Sequence, residues 1–407
     1  MLFTSGLAPV RKTLPAVGCC LAVGCCFASF ALSVLTLQGG ASAAEPSFIP
    51  IGDFPGGGFS SSANAVSANG SEVVGSSSIT TSAYEALRWT RAGGAVGLGY
   101  LPGGDFSSAN SISGDGSVVV GEGNVAPRSS LRQAFRWTAT SGMLGLGYLP
   151  GIGRSSVAYE VSPNGNTVVG YSSSSAGSQA FRWTESAGMV GLGILPGYAS
   201  SDARGVSDDG DVVVGTSTAS GQSRGFRWTP SAGMTPLAPL PGDAQSVASR
   251  VSADGRVTVG WSQAGIGEYH AVRWLEDGIA QSLGPVVGAS GDVPGIAQQA
   301  ISISADGSTI VGGASTGTFI WDEAHGARDL KTILTRDHGL DLTGWFLILP
   351  EDVSADGGTI VGFGRNPSYE AEGFVAAIPV PEPGAVAALG AGSAALLLRR
   401  RRRGHLR

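Results

Sequence analysis

Cysteine is the first shortage: the chain of 407 residues has four, and Cys19, Cys20, Cys25 and Cys26 all lie in the first apolar segment. The chain beyond that segment has no disulfide framework, no thiolate metal site and no cysteine nucleophile, so packing alone must hold it. Histidine is as scarce. His270, His325 and His338 stand far apart and in no His-x-x-x-His pattern, which removes the usual zinc spacing. Aromatic residues are 7% and charged residues 14%, against 65 glycines. That balance fits a turn-rich all-β chain, not a helical or nucleic-acid-binding one. Basic residues are thin between the ends: Glu45 to Glu382 holds 31 acidic and 17 basic residues, a net −14. Such a surface repels nucleic acid and anionic membrane, and both are discarded as partners of this region. There is no Gly-x-Ser-x-Gly elbow between strand and helix and no phosphate loop followed by Lys. No catalytic residue, metal site or cofactor is expected.

What is present is a repeat. Ser-x-[Asp/Asn]-Gly, one or two residues, then β-branched residues closing on Gly occurs seven times, starting at Ser67, Ser113, Ser162, Ser207, Ser252, Ser304 and Ser354. The closing residues Gly75, Gly121, Gly170, Gly215, Gly260, Gly312 and Gly362 are 46, 49, 45, 45, 52 and 50 residues apart. A period of about 45–50 residues is that of a propeller blade. Within residues 197–242, Arg204 to Val206 predicts a first strand, Asp208 to Gly210 a tight turn, Val212 to Gly215 a second strand, Gly225 to Thr229 a third and Met234 to Leu240 a fourth. The expected fold is an all-β, seven-bladed β-propeller over residues 44–380.

Two further features belong to that reading. Trp89, Trp137, Trp183, Trp228, Trp274 and Trp321 recur on the third strand and are expected to wedge against the neighbouring blade. Arg88, Arg136, Arg182, Arg227 and Arg273 precede five of them on the alternate face, either to tie loops at the rim or to form an anion ring. The last unit has Ala376 at the Trp position and then stops, while Ser47 to Pro55 reads as a lone fourth strand. The N-terminal strand should therefore complete the seventh blade and remove its exposed edge. The turn carboxylates Asp115, Asp209, Asp254, Asp306 and Asp356 supply about one ligand each, too few for a calcium loop. Between Asp329 and Gly339 the apolar residues follow helical spacing, which predicts a short helix within the 329–343 insertion, a ligand loop or a cap over the axis.

The two ends differ from the repeats. Residues 1–43 carry Arg11 and Lys12, an apolar run from Leu14 to Leu37 and a small-residue site with cleavage between Ala43 and Ala44, the pattern of a signal peptide. An uncleaved anchor and a lipoprotein box at Leu21 to Cys25 are the alternatives. Residues 381–407 run Pro381, Glu382, Pro383, an apolar stretch from Gly384 to Leu398, then Arg399, Arg400, Arg401, Arg402 and Arg403. Fifteen apolar residues are fewer than the ~20 that span a bilayer with ease, but the basic block after them fits a tail whose positive end stays in the cytoplasm.

This C-terminal order resembles the PEP-CTERM sorting signal of Gram-negative-type bacteria. The resemblance implies a transmembrane tail and an exosortase-type membrane protease, recognising Pro381, Glu382 and Pro383, as a partner. Residues 47–378 resemble the HAF family of extracellular repeats, spelled loosely here as His270-Ala271-Val272, Gln133-Ala134-Phe135 and Gln179-Ala180-Phe181. The expected protein is exported through the inner membrane to the cell surface or matrix. It is expected to be non-enzymatic and to present a propeller for adhesion or extracellular polysaccharide. The alternatives are a polysaccharide lyase or hydrolase with its site in the central channel, and a permanently anchored periplasmic binding module.

Overall fold

The computed structural model describes residues 45–379 except 55, 56, 59, 81, 82, 152, 288–297, 315 and 316. Ala43 and Ala44, the motif Pro381, Glu382 and Pro383, and the cluster Arg399 to Arg403 lie outside the described residues. Among the described residues no helix is long and apolar enough to cross a membrane.

Each repeat folds into a four-stranded antiparallel sheet, and there are seven such sheets. In blade four the strands are Ser200–Val206, Val213–Ala219, Gln222–Thr229 and Gly233–Pro236, so the fourth is shorter than the run to Leu240 predicted. The turn between the first two explains the repeated motif. The Ser207 hydroxyl donates to Asp209 (2.6 Å) and accepts the Val212 N–H (3.0 Å), while Asp209 accepts the Asp211 N–H (2.9 Å). Gly210 takes φ +74°, which a side chain would disfavour. The second strand is buried through its apolar run, as expected of a strand covered on both faces.

The blades meet through seven apolar clusters. Leu87, Phe135, Phe181, Phe226, Val272, Phe319 and Phe374, two residues before the Trp position, are completely buried. Each of the largest of these contributes roughly 1.5–3 kcal/mol by burial. Trp89, Trp274 and Trp321 are buried beside them, while Trp137, Trp183 and Trp228 are half-buried at the same interfaces. The Phe row is thus the deeper anchor, and the Trp row covers it.

The seventh sheet is closed by the chain's own start. Strand Ser47–Pro50 pairs with Ala371–Ala377, placing Phe48 opposite Ala376 and Pro50 opposite Phe374. Pro50 sits on an outer strand, where its missing N–H interrupts no ladder. Because Ala376 is small, the volume that a Trp fills elsewhere is taken by Phe48 and Trp345, whose rings meet edge-on at 5.0 Å. Trp345 stands just after the insertion, before the first strand of blade seven. Within the insertion Asp329 caps a single α-turn, Leu330–Thr332, which continues as a π-turn, Ile333–Asp337. Leu330, Ile333 and Leu334 pack with Val311 and Ile320 of blade six and with Ile360 and Phe374 of blade seven. The predicted helix is present, but it wedges between these two blades; it neither caps the axis nor lines the central channel.

Candidate functional site

The innermost strands ring an axis, and their sequence is itself a repeat: Ala-x-x-[Val/Ile]-Ser in six blades and Pro350-Glu351-Asp352-Val353-Ser354 in the seventh. In every one a β-bulge falls inside the two variable positions. The bulge also accounts for the closing glycines. Gly75, Gly121, Gly170, Gly215, Gly260, Gly312 and Gly362 stand opposite the bulge, where a Cβ would overlap a carbonyl oxygen such as that of Ser62 or Asp202. An extra residue in the strand breaks the alternation of faces, so neighbouring side chains both turn toward the axis.

At one end the seven turns close the channel. The N–H of Ala68 donates to Gly114 (3.0 Å), Gly114 to Pro163 (2.8 Å), Asp208 to Ala253 (2.9 Å), Ala253 to Ala305 (3.0 Å), Ala305 to Ala355 (3.1 Å) and Ala355 back to Ala68 (3.1 Å). Pro163 has no N–H to give. The side-chain amide of Asn164 donates to the Asp208 carbonyl in its place, which explains Asn where most turns carry Asp.

Above this floor the second variable position reads Ala65, Ser111, Glu160, Gly205, Arg250, Ser302 and Asp352 around the ring. Ser111, Glu160, Ser302 and Asp352 bond to the next blade, and Arg250 reaches back to the one before. Glu160 accepts the Val206 N–H (2.9 Å), Asp352 accepts the Val66 N–H (3.0 Å) and the Ser302 hydroxyl (2.6 Å), and Arg250 donates to the Arg204 carbonyl (2.8 Å) while lying 3.6 Å from Glu160. Five of the seven, Ser111, Glu160, Arg250, Ser302 and Asp352, line a cavity of about 110 Å3. Burial pushes Glu160 up to about 8, against the pull of Arg250, and raises Asp352 as well.

The first variable position reads Asn64, Asn110, Tyr159, Arg204, Ser249, Ile301 and Glu351. Five of these, with Glu122 and Arg250, line a wider mouth of about 330 Å3. Asn64 and Asn110 donate to Ala109 (2.8 Å) and Ala158 (2.9 Å), the carbonyls one blade on. Arg204 pairs with Asp202. Burial raises Glu351 to about 7 and Tyr159 to about 12, and Glu122 is raised for the same reason. The mouth thus offers amides, a phenol, guanidinium groups and two carboxyls, of which Glu351 changes charge near neutrality.

The residues singled out in the sequence lie elsewhere. Arg182 and Arg227 donate to the turn carbonyls of Gly210 (2.8 Å) and Gly255 (3.3 Å) in the following blade, and Arg88 pairs with Glu72 (2.9 Å), so these three tie loops rather than form an anion ring. The turn carboxylates serve the turns, each accepting from its own Ser, as Ser113 donates to Asp115 (2.7 Å). His270 meets Asp243 (2.9 Å) and His325 meets Asp322 (2.7 Å), at separate places. The channel residues carried one signal in the sequence: two adjacent variable positions inside an otherwise repeated inner strand.

No family model and no curated protein matches the chain. Solved structures do, at a level that shows the fold. An oligogalacturonate lyase from Vibrio parahaemolyticus is 10% identical over 84% of this chain and 98% of its own, with TM-score 0.51. The β-propeller domain of the Trilobed protease from Pyrococcus furiosus, described as an open velcro topology, is 10% identical over 79% and 94%, with TM-score 0.50. A TolB from Acinetobacter baumannii is 12% identical over 76% of this chain, which spans only 64% of that one, with TM-score 0.42. The likeness to the lyase and to the protease domain agrees with the seven-sheet propeller fold.

Proposed function

We propose that this is an exported, non-enzymatic propeller of the cell surface or matrix that binds extracellular polysaccharide at its channel mouth. Export through the N-terminal signal, and sorting by an exosortase-type protease acting at Pro381, Glu382 and Pro383 before the transmembrane tail, belong to the same proposal. The observation that carries the binding reading is the ring at the first variable position, where seven copies of one strand present mostly unlike polar groups. Nothing in blade packing requires that diversity, whereas a hydroxyl-rich ligand needs several donors and acceptors at fixed places. Glu160 and Asp352 support it too, since both accept backbone N–H groups of the next blade and so serve the scaffold.

A second reading, a lyase or hydrolase site, draws on Glu351, whose carboxyl titrates at about 7 and is suited to proton transfer. One experiment separates them. Polysaccharide extracted from the native cell envelope is titrated into the protein and assayed in parallel for new reducing ends. Binding weakened about tenfold by Arg204→Ala, with no new ends, is the expected result. Release of ends that Glu351→Gln abolishes would replace the binding reading by the enzymatic one.

A further inference from the structure

We infer that blade seven carries a carbohydrate-stacking platform formed by Phe346 and Tyr369, selective for neutral pyranose chains. It rests on the reading of the protein as a polysaccharide binder and gives that reading a ligand class and a second contact point. Among the described residues, Phe346 and Tyr369 are the large aromatic side chains left mostly in solvent, 52% and 66% exposed; the other large exposed hydrophobic residues are aliphatic. Their rings stand 5.7 Å apart at 42°.

The Tyr369 ring is held there against the local preference of the chain. Tyr369 has φ +66°, a left-handed backbone that a bulky residue rarely adopts and that persists only where its surroundings impose it. The surroundings are explicit. Asn366 accepts the N–H groups of Ser368 (2.9 Å) and Glu370 (3.1 Å), its carbonyl accepts the Tyr369 N–H (2.8 Å), and Arg365 donates to the Tyr369 carbonyl (2.7 Å). Phe346 opens the innermost strand of blade seven, and Lys331 of the insertion, fixed by its bond to the Trp345 carbonyl (2.6 Å), sits 5.6 Å from its ring centre. The insertion that wedges blades six and seven therefore also steadies the platform. Glu351 of the mouth lies on the same strand as Phe346, at ~3.3 Å of rise per residue.

Size and charge choose the occupant. Two rings so exposed offer on the order of 200 Å2, far less than the ~800 Å2 a stable protein partner covers on each side. A pyranose ring matches them, with an apolar C–H face for the aromatic surface and hydroxyls at its edge. The acceptors beside the platform are the carboxylates of Glu370 and Glu372, gathered around the Asn366 amide at 3.3 and 3.0 Å. The nearby cations Arg365 and Lys331 keep their charge but direct donors to carbonyls. Asp53 interacts with Glu370 and Glu372, so three carboxyls stand against two cations, an acidic excess that accepts hydroxyl protons and disfavours uronate chains.

The test titrates the full-length protein with cellohexaose and laminarihexaose as neutral probes and polygalacturonate as the anionic one. A neutral hexasaccharide is expected to bind, and Phe346→Ala and Tyr369→Asn are each expected to weaken it at least tenfold. Polygalacturonate should not compete. Asn tolerates the left-handed backbone, so Tyr369→Asn should raise Tm by about 2 °C while binding is lost, which separates loss of the ring from loss of the fold. The inference is overturned if neither neutral probe binds, if binding survives both platform variants, or if Phe346→Ala turns a self-associated protein into a monomer. Hexasaccharide binding lost only in Arg204→Ala overturns it as well, and leaves the channel-mouth reading standing.

Discussion

The floor and the mouth of the channel are built by the same seven strands and obey opposite rules. At the floor the blades do the same thing seven times, passing one hydrogen bond to a neighbour, and the single exception at Pro163 is repaired by Asn164. A few residues back along each strand, the two bulged positions differ from blade to blade. The difference separates two duties of one repeat. Positions that hold the ring are constrained by backbone geometry, and positions that the bulge turns into the channel are free to vary, so chemistry accumulates there.

The comparison breaks first at the shared part. Gly215→Ala forces a Cβ into the Asp202 carbonyl, and because the contact is with backbone, no rotamer relieves it. The expected loss is ~5 kcal/mol in urea unfolding, or insoluble protein, and Gly121→Ala or Gly260→Ala should behave alike. A cost under ~1 kcal/mol would show that the bulge is not fixed.

The individual part should reveal itself through pH. Glu160 holds its proton more tightly in the folded protein than in the unfolded chain, where its pKa is near 4.5. Its contribution is fully present below about pH 4.5 and is lost as pH rises through about 8. Arg250, which opposes the shift, and Asp352, which adds to it, face the same carboxyl. Chemical denaturation of Glu160→Gln should therefore show a stability gain of about 2 kcal/mol over the parent at about pH 9 and little gain at about pH 4.5. Glu351, raised to about 7, leaves the variant with a residual slope in the same direction. A gain equal at both pH values would show that the buried carboxyl does not set the pH dependence.

The smallest effect sharpens the floor. Asn164→Ala deletes the substituted donor and should cost about 1 kcal/mol. Adding Pro163→Ala to that variant restores a backbone N–H at the gap and should recover part of the loss. Two additive losses would show that the ring of hydrogen bonds does not depend on this link.

Much of the scaffold was legible because it rests on residues that recur. The period named seven blades, the incomplete ends named the strand that closes them, and Asp329 to Gly339 named a helix. The location of that helix was not legible, because apolar periodicity reports a buried face without reporting what buries it. Its partner is the space left by Ala376, on the far side of blade seven in sequence. The channel was hidden for a different reason. Reading a strand by alternate faces assigns one of two adjacent residues to the core and one to solvent, and Tyr159-Glu160 or Glu351-Asp352 cannot be placed that way, since a bulge sends both toward the axis. The invariant closing glycine was the clue to that bulge, and it becomes interpretable only when the opposing carbonyl is known.

The pairing of Ser47–Pro50 with Ala371–Ala377 also decides how the protein bears load. Chain leaving residue 377 departs from a strand flanked on one side by Thr359–Arg365 and on the other by the N-terminal strand. Tension drawn along that strand is shared by two antiparallel ladders at once, so their bonds resist together in shear rather than opening one after another. The outermost strand of a blade would instead hang from a single ladder. The closure that completes the ring therefore doubles as its tether, and the strand nearest the C-terminal end is among the hardest in the seventh sheet to pull away.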